Sequence, residues 1–171
     1  MLSALVSVAG AITGCSGGGV TGSTTTASTP STTVAGTTGE AGNPLAAVNP
    51  CDLLTSDQVN QLDLTTEGPQ SNAKSRGCGW RKGATYSMNI DVRDNQGIGP
   101  TDSPGVTKVA LQSHDAVQDT SSGFGCDIGI AISKSSSADV VVSGAESIQQ
   151  QCQIATQYAT LIEPKLPAQQ K

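Results

Sequence analysis

The chain has 171 residues and a formal net charge of -5, with 13% charged and 2% aromatic side chains. That length holds one ordinary domain. The acidic balance, with no basic run anywhere, excludes a nucleic-acid surface, which needs clustered Lys and Arg against phosphate.

The first residues are apolar and small from Leu2 to Thr13, too short a run for the ~20 residues that span a bilayer. They end at Ile12-Thr13-Gly14-Cys15. A branched apolar residue three places before a cysteine, with a small residue directly before it, resembles a bacterial lipobox. Residues 1-14 are therefore expected to be a lipoprotein signal peptide, and the Cys15 thiol to take diacylglycerol, palmitate being a typical chain, and become the anchored N-terminus. No Lys or Arg lies between Met1 and Cys15, so the charged part of such a signal would lie upstream of Met1. The expected location is the outer face of the cell membrane, in the cell wall space.

From Ser16 to Val48 the chain is nearly all Gly, Ser, Thr, Ala and Pro, with Glu40 the only charge. Such a segment buries too little apolar surface to offset its ordering entropy. Residues 15-48 read as a disordered tether, its Thr clusters suited to O-glycosylation or to plain solvation.

The globular part reads as residues 49-168, with 169-171 a short tail. Pro50 fits the first turn of a helix, and Thr55-Ser56-Asp57-Gln58 reads as a capping box, so a helix or a broken pair of turns is expected over Pro50 to Gln61. After a polar loop a strand starts at Gly77, Lys82-Gly83-Ala84 turns it, and Tyr86, Met88, Ile90 and Val92 alternate with Ser87, Asn89, Asp91 and Arg93 in a half-buried strand. Asn95 to Gly105 reads as loop, and Val106 to Gln118 as a short helix or an irregular strand. Cys126, Ile128, Ile130 and Ile132 alternate into another strand. Ser135-Ser136-Ser137 turns the chain, and Ala138 to Ser143 completes a hairpin. Ile148, Cys152, Ala155, Ala159 and Ile162 share one face of a last helix over Ala145 to about Glu163, with Gln149, Gln153 and Gln157 off that face. The order predicts an α+β fold, an antiparallel sheet of about four to five strands against N-terminal and C-terminal helices.

Cys51, Cys78, Cys126 and Cys152 form an even set that, in an exported chain, implies two disulfides. Spacing alone does not choose among three connectivities. Pairing Cys51 with Cys78 and Cys126 with Cys152 is favoured because each bridge then staples a helix to the neighbouring strand, worth roughly 3 to 4 kcal/mol apiece. Trp80 is expected to pack against the first bridge. No CxxC hook stands here and the one histidine, His114, has no partner at ligand spacing, so neither a metal nor a cofactor is expected.

Lipobox Cys15, the Thr/Gly-rich tether, Asn49-Pro50-Cys51-Asp52-Leu53-Leu54-Thr55, Cys78-Gly79-Trp80, Cys126-Asp127-Ile128-Gly129-Ile130 and the Cys-containing final helix ending in Pro resemble the actinobacterial lipoproteins that carry domain of unknown function 3558. The resemblance covers the whole chain. It implies an envelope lipoprotein and transfers no activity.

Catalysis finds little footing. His114 reads as a surface or boundary residue whose substitution costs within about 0.5 kcal/mol, and Asp91, Asp94, Asp102, Asp115 and Asp119 as solvent-facing acids. No GxSxG, HExxH or P-loop is present. The expectation is a non-catalytic binding or sensing domain in which an open sheet face or a helix-sheet cleft holds a lipid, a wall fragment or a partner. The alternative is an accessory lipoprotein that binds another envelope protein, with an envelope hydrolase a distant third.

Overall fold

The computed structural model of the protein describes residues 42-171. The expected signal peptide, Cys15 and most of the expected tether fall in residues 1-41, outside the described residues.

The chain enters through a turn at Asn43-Ala46 and a 3-10 turn at Pro50-Asp52. A short helix, α1 (Ser56-Gln61), follows, with the Thr55-Gln58 capping box in place: each residue's side chain accepts from the other's backbone amide. Seven strands come next: β1 (Thr65-Ser71), β2 (Arg76-Lys82), β3 (Tyr86-Arg93), β4 (Val106-Ala110), β5 (Asp115-Asp119), β6 (Gly125-Ser133) and β7 (Ser136-Ser143). Helix α2 (Ile148-Ile162) and a 3-10 turn at Glu163-Lys165 complete the order. All strands pair antiparallel in one sheet, in the order β1-β2-β3-β7-β6-β5-β4.

The α+β architecture thus stands, with seven strands in place of four or five. Three strands escaped periodicity for different reasons. β1 is an edge strand carrying Gly68 and Pro69, its register slipping between Thr66 and Gly68; these devices blunt an edge and also erase its alternation. β4 and β5 have five residues each, too few to display a period.

One sheet face holds the core. Met88, Ile90 and Val92 of β3, Val140 and Val142 of β7, and Ile128, Ile130 and Ile132 of β6 are fully buried, with α2 supplying Ala155, Ala159 and Ile162. Alanine at 155 and 159 lets the helix sit close, and Ser147 caps it by accepting from the Gln150 amide. Tyr86 and Tyr158 meet through their hydroxyls at 2.9 Å within this core. Cys51 bonds Cys78, tying the 3-10 turn to β2, and Cys126 bonds Cys152, tying β6 to α2. Trp80 is buried on the same face of β2 as Cys78.

Two features of the packing run against composition. Phe124, one of the few aromatic residues of the chain, is 88% exposed because it sits on the turn between β5 and β6. The domain also starts before Asn49: Leu45 is fully buried, and Arg76 donates from Nη2 to the Leu45 carbonyl and from Nη1 to the Val48 carbonyl. Composition places these residues in the tether; one apolar side chain and two backbone carbonyls place them in the domain.

Candidate functional site

Beyond the strands that α2 covers, the helix side of the sheet continues onto β5 and β4, where Ala116 is buried but Gln118 is left half-buried beside the flank of the helix. The register sets Gln118 opposite Ile128, so Gln118 and Ala116 face the helix side while Val117 and Asp119 face away. Gln149, Gln153 and Gln157, spaced four apart, form a stripe along the flank of α2. Helix and strand enclose an open groove of about 670 Å3 lined by those four glutamines with Thr120, Thr156, Ile148 and Cys152. That volume lies in the range of about 300 to 1,000 Å3 typical of small-molecule sites. Ile148, expected on the buried face, is 41% exposed at the groove. None of the four glutamine side chains hydrogen-bonds within the described residues, in contrast to Gln150, Gln151 and Gln169, which do. A spacing of four along a helix is visible in the sequence; that it runs beside Gln118 of β5 is not.

The opposite sheet face carries charge. Asp91, Asp119, Asp127 and Asp139 stand there with Arg93, which places Nε 3.0 Å from Asp139 Oδ2 and Nη2 3.6 Å from Asp127 Oδ2. Burial first, then the Asp139 charge, pushes the Asp127 carboxyl up to about 7. Burial likewise raises Asp139, to about 6, against the pull of Arg93 and a Ser137 hydrogen bond, and it raises Asp91. Asp127 Oδ1 is buried without a hydrogen-bond partner. Ser137 Oγ lies 3.0 Å from the Gln96 carbonyl and 3.1 Å from Asp139 Oδ2, with one hydrogen for two acceptors. A protonated Asp139 would donate to Ser137 and free that hydrogen for Gln96, so the cluster is best satisfied holding a proton.

The loop after β3 roofs this cluster. Ile98 Cγ2 comes within 3.3 Å of where a Cβ on Gly129 would stand, which is why β6 carries no side chain there. The space left is about 130 Å3, well below the usual size of a ligand site. Arg93 and the carboxylates therefore hold a loop to the sheet. The expectation of solvent-facing acids fails for Asp91 and Asp119, which share this half-buried cluster. Asp127 and Asp139 belong to it too, and no sequence signal marked them, since each sits at a wet-face position of an ordinary alternating strand. Asp94 pairs instead with Arg76, whose hydrogen bond lowers its carboxyl, and Asp102 and Asp115 are exposed.

His114 is buried, contrary to the surface reading. Its Nδ1 lies 3.3 Å from Glu163 Oε1 and its Nε2 2.8 Å from the Pro167 carbonyl. Glu163 also accepts from the amides of Gln112, Ser113 and His114. Burial would raise this carboxyl, but the amide bonds outweigh it and the group is lowered. His114 and Glu163 form a joint between the β4-β5 turn and the end of α2, and His114, with both ring nitrogens engaged, also lines a recess of about 370 Å3 beside β4. Among the described residues no group of three or more His, Cys, Asp or Glu is placed to hold a metal ion, and no helix is long and apolar enough to cross a membrane.

A family model described as protein of unknown function, DUF3558, matches residues 10-165. No curated protein and no solved structure matches the chain.

Proposed function

The chain belongs to the DUF3558 family, and on that premise we propose that it is an actinobacterial envelope lipoprotein, anchored through Cys15, whose domain binds a ligand in the groove between α2 and β5 without altering it chemically. One observation carries the binding reading: four glutamines whose side chains have no hydrogen-bond partner among the described residues line a groove of about 670 Å3, positioned by a disulfide-stapled helix and a paired strand. Rigid elements of this kind hold polar groups in place at little ordering cost on binding. The anchor reading rests on Ile12-Thr13-Gly14-Cys15. A second reading, an accessory lipoprotein that docks on another envelope protein, has Phe124 in its favour, a large apolar side chain left 88% exposed.

Both halves are open to test. A palmitate analogue should label the wild-type chain, expressed with a complete signal peptide, and fail to label Cys15→Ala; equal labelling removes the anchor. Native mass spectrometry of the purified protein should show a bound species that is lost from Gln118→Leu/Gln153→Leu. Retention of the same species by that variant removes the groove.

A further inference from the structure

The lining of the groove restricts what can occupy it. The recess of about 400 Å3 near Asp94 carries Lys134 and Lys171, and the one of about 370 Å3 beside β4 carries Lys108 and Asp115. The α2-β5 groove has no ionisable side chain. An anionic ligand would find no cation in it. A hydrocarbon chain would cover four amides and leave their donors and acceptors unpaired, which is unfavourable. A peptide could not extend the sheet there, because the edge of β5 beside the groove is already paired with β4.

We infer that the groove takes a neutral polyhydroxylated ligand, a short oligosaccharide, held by the side-chain amides of Gln118, Gln149, Gln153 and Gln157. This deepens the binding reading above and rests on it. Sugar hydroxyls donate and accept, and a primary amide offers two donors and an acceptor, so each glutamine can pair with hydroxyls in either sense. The stripe from Gln149 to Gln157 runs ~12 Å along the helix, which suits several linked rings better than one. An exposed aromatic side chain, outside the lining itself, follows four residues after Thr120. Thr120, in the groove lining, begins the tight turn closed by the Gly123 amide on the Thr120 carbonyl at 3.1 Å, and Phe124 follows that turn fully presented to solvent. A ring so placed offers its electron-rich face to the C-H side of a pyranose reaching past the groove.

The test is an NMR titration of the protein with maltopentaose, mannopentaose and chitopentaose, beside a neutral Gly/Ser hexapeptide and dihexanoylphosphatidylcholine. At least one glycan should shift the side-chain amide signals of the four glutamines. Affinity for it should fall about tenfold or more in Gln149→Leu/Gln153→Leu, as the loss of two hydrogen bonds implies, and should weaken in Phe124→Ala, both variants keeping the wild-type spectrum elsewhere. Groove signals that answer to the peptide or the phospholipid and to no glycan overturn the oligosaccharide while leaving a binding groove. Groove signals that answer to none of the five overturn the oligosaccharide, and a co-purified species retained by Gln149→Leu/Gln153→Leu overturns the groove itself.

Discussion

Arg93 is shared between two carboxylates and belongs more to one: its Nε is 3.0 Å from Asp139, while its Nη2 reaches Asp127 at 3.6 Å. Asp127 is thus the less compensated acid, and its folded-state pKa is raised from 3.8 to about 7. A carboxyl raised on folding contributes stability below its unfolded value, and that contribution is lost as pH rises toward the folded one. Asp94 and Glu163 are lowered and act oppositely, losing their contribution as pH falls below about 4. Maximum stability is therefore expected near pH 4, where the loss from the raised carboxyls begins and the gain from the lowered ones is nearly complete. Asp127→Asn keeps an oxygen for Arg93, adds a donor toward Asp139, and should stabilise the domain by about 1 to 2 kcal/mol at pH 8 with little effect at pH 4.5. Chemical denaturation at the two pH values checks this, and parallel pH profiles for wild type and variant would refute it.

How much of this was legible in the sequence depended on whether a residue acts within its own element or across the sheet. The capping box at Thr55, the alternation in β3 and β6 and the apolar stripe of α2 are local patterns, and they stand in the structure. The favoured cysteine pairing was also readable, because it followed from helix-strand adjacency along the chain. The carboxylate cluster draws on β3, β5, β6 and β7, brought together by a strand order no local signal encodes. His114 was misplaced for the same reason, its partner Glu163 lying 49 residues away.

That partnership yields the next expectation. Glu163 is 3% exposed and accepts from three backbone amides as well as facing His114. Removing it leaves buried donors unpaired, so Glu163→Ala should cost about 3 to 5 kcal/mol. His114→Ala should cost about 2 kcal/mol, well beyond the value for a solvated residue. Urea denaturation measures both, and costs below about 0.5 kcal/mol would show that the joint does not contribute to stability.

The two bridges span 27 and 26 residues, and removing either should cost roughly 3 kcal/mol. Their consequences differ by location. Cys126-Cys152 holds the helix that forms one wall of the groove, so Cys126→Ala/Cys152→Ala should weaken ligand binding as well as stability. Cys51→Ala/Cys78→Ala, on the far side of the sheet order, should lower stability and leave affinity nearly unchanged. Peptide mapping without reductant establishes the pairing, and calorimetry with melting curves separates the two effects.

Arg76 governs where the domain begins. Its guanidinium accepts no bonds and donates five ways; here it reaches the Leu45 and Val48 carbonyls while pairing with Asp94 through two nitrogens. Asn43 donates to the same Asp94. Arg76→Lys keeps the charge but cannot fork between two carbonyls and a carboxylate. It should release residues 42-48 from the sheet at a cost of about 1 to 2 kcal/mol, while Leu45→Ala, which removes the buried side chain itself, should cost about 2 to 4 kcal/mol. Hydrogen exchange at Ala46 and Val48, whose amides bond the Asn43 and Leu45 carbonyls, reads the release directly. Exchange there as slow in Arg76→Lys as in the wild type, with β2 equally protected in both, would show that the apolar contact of Leu45 holds the junction without the arginine.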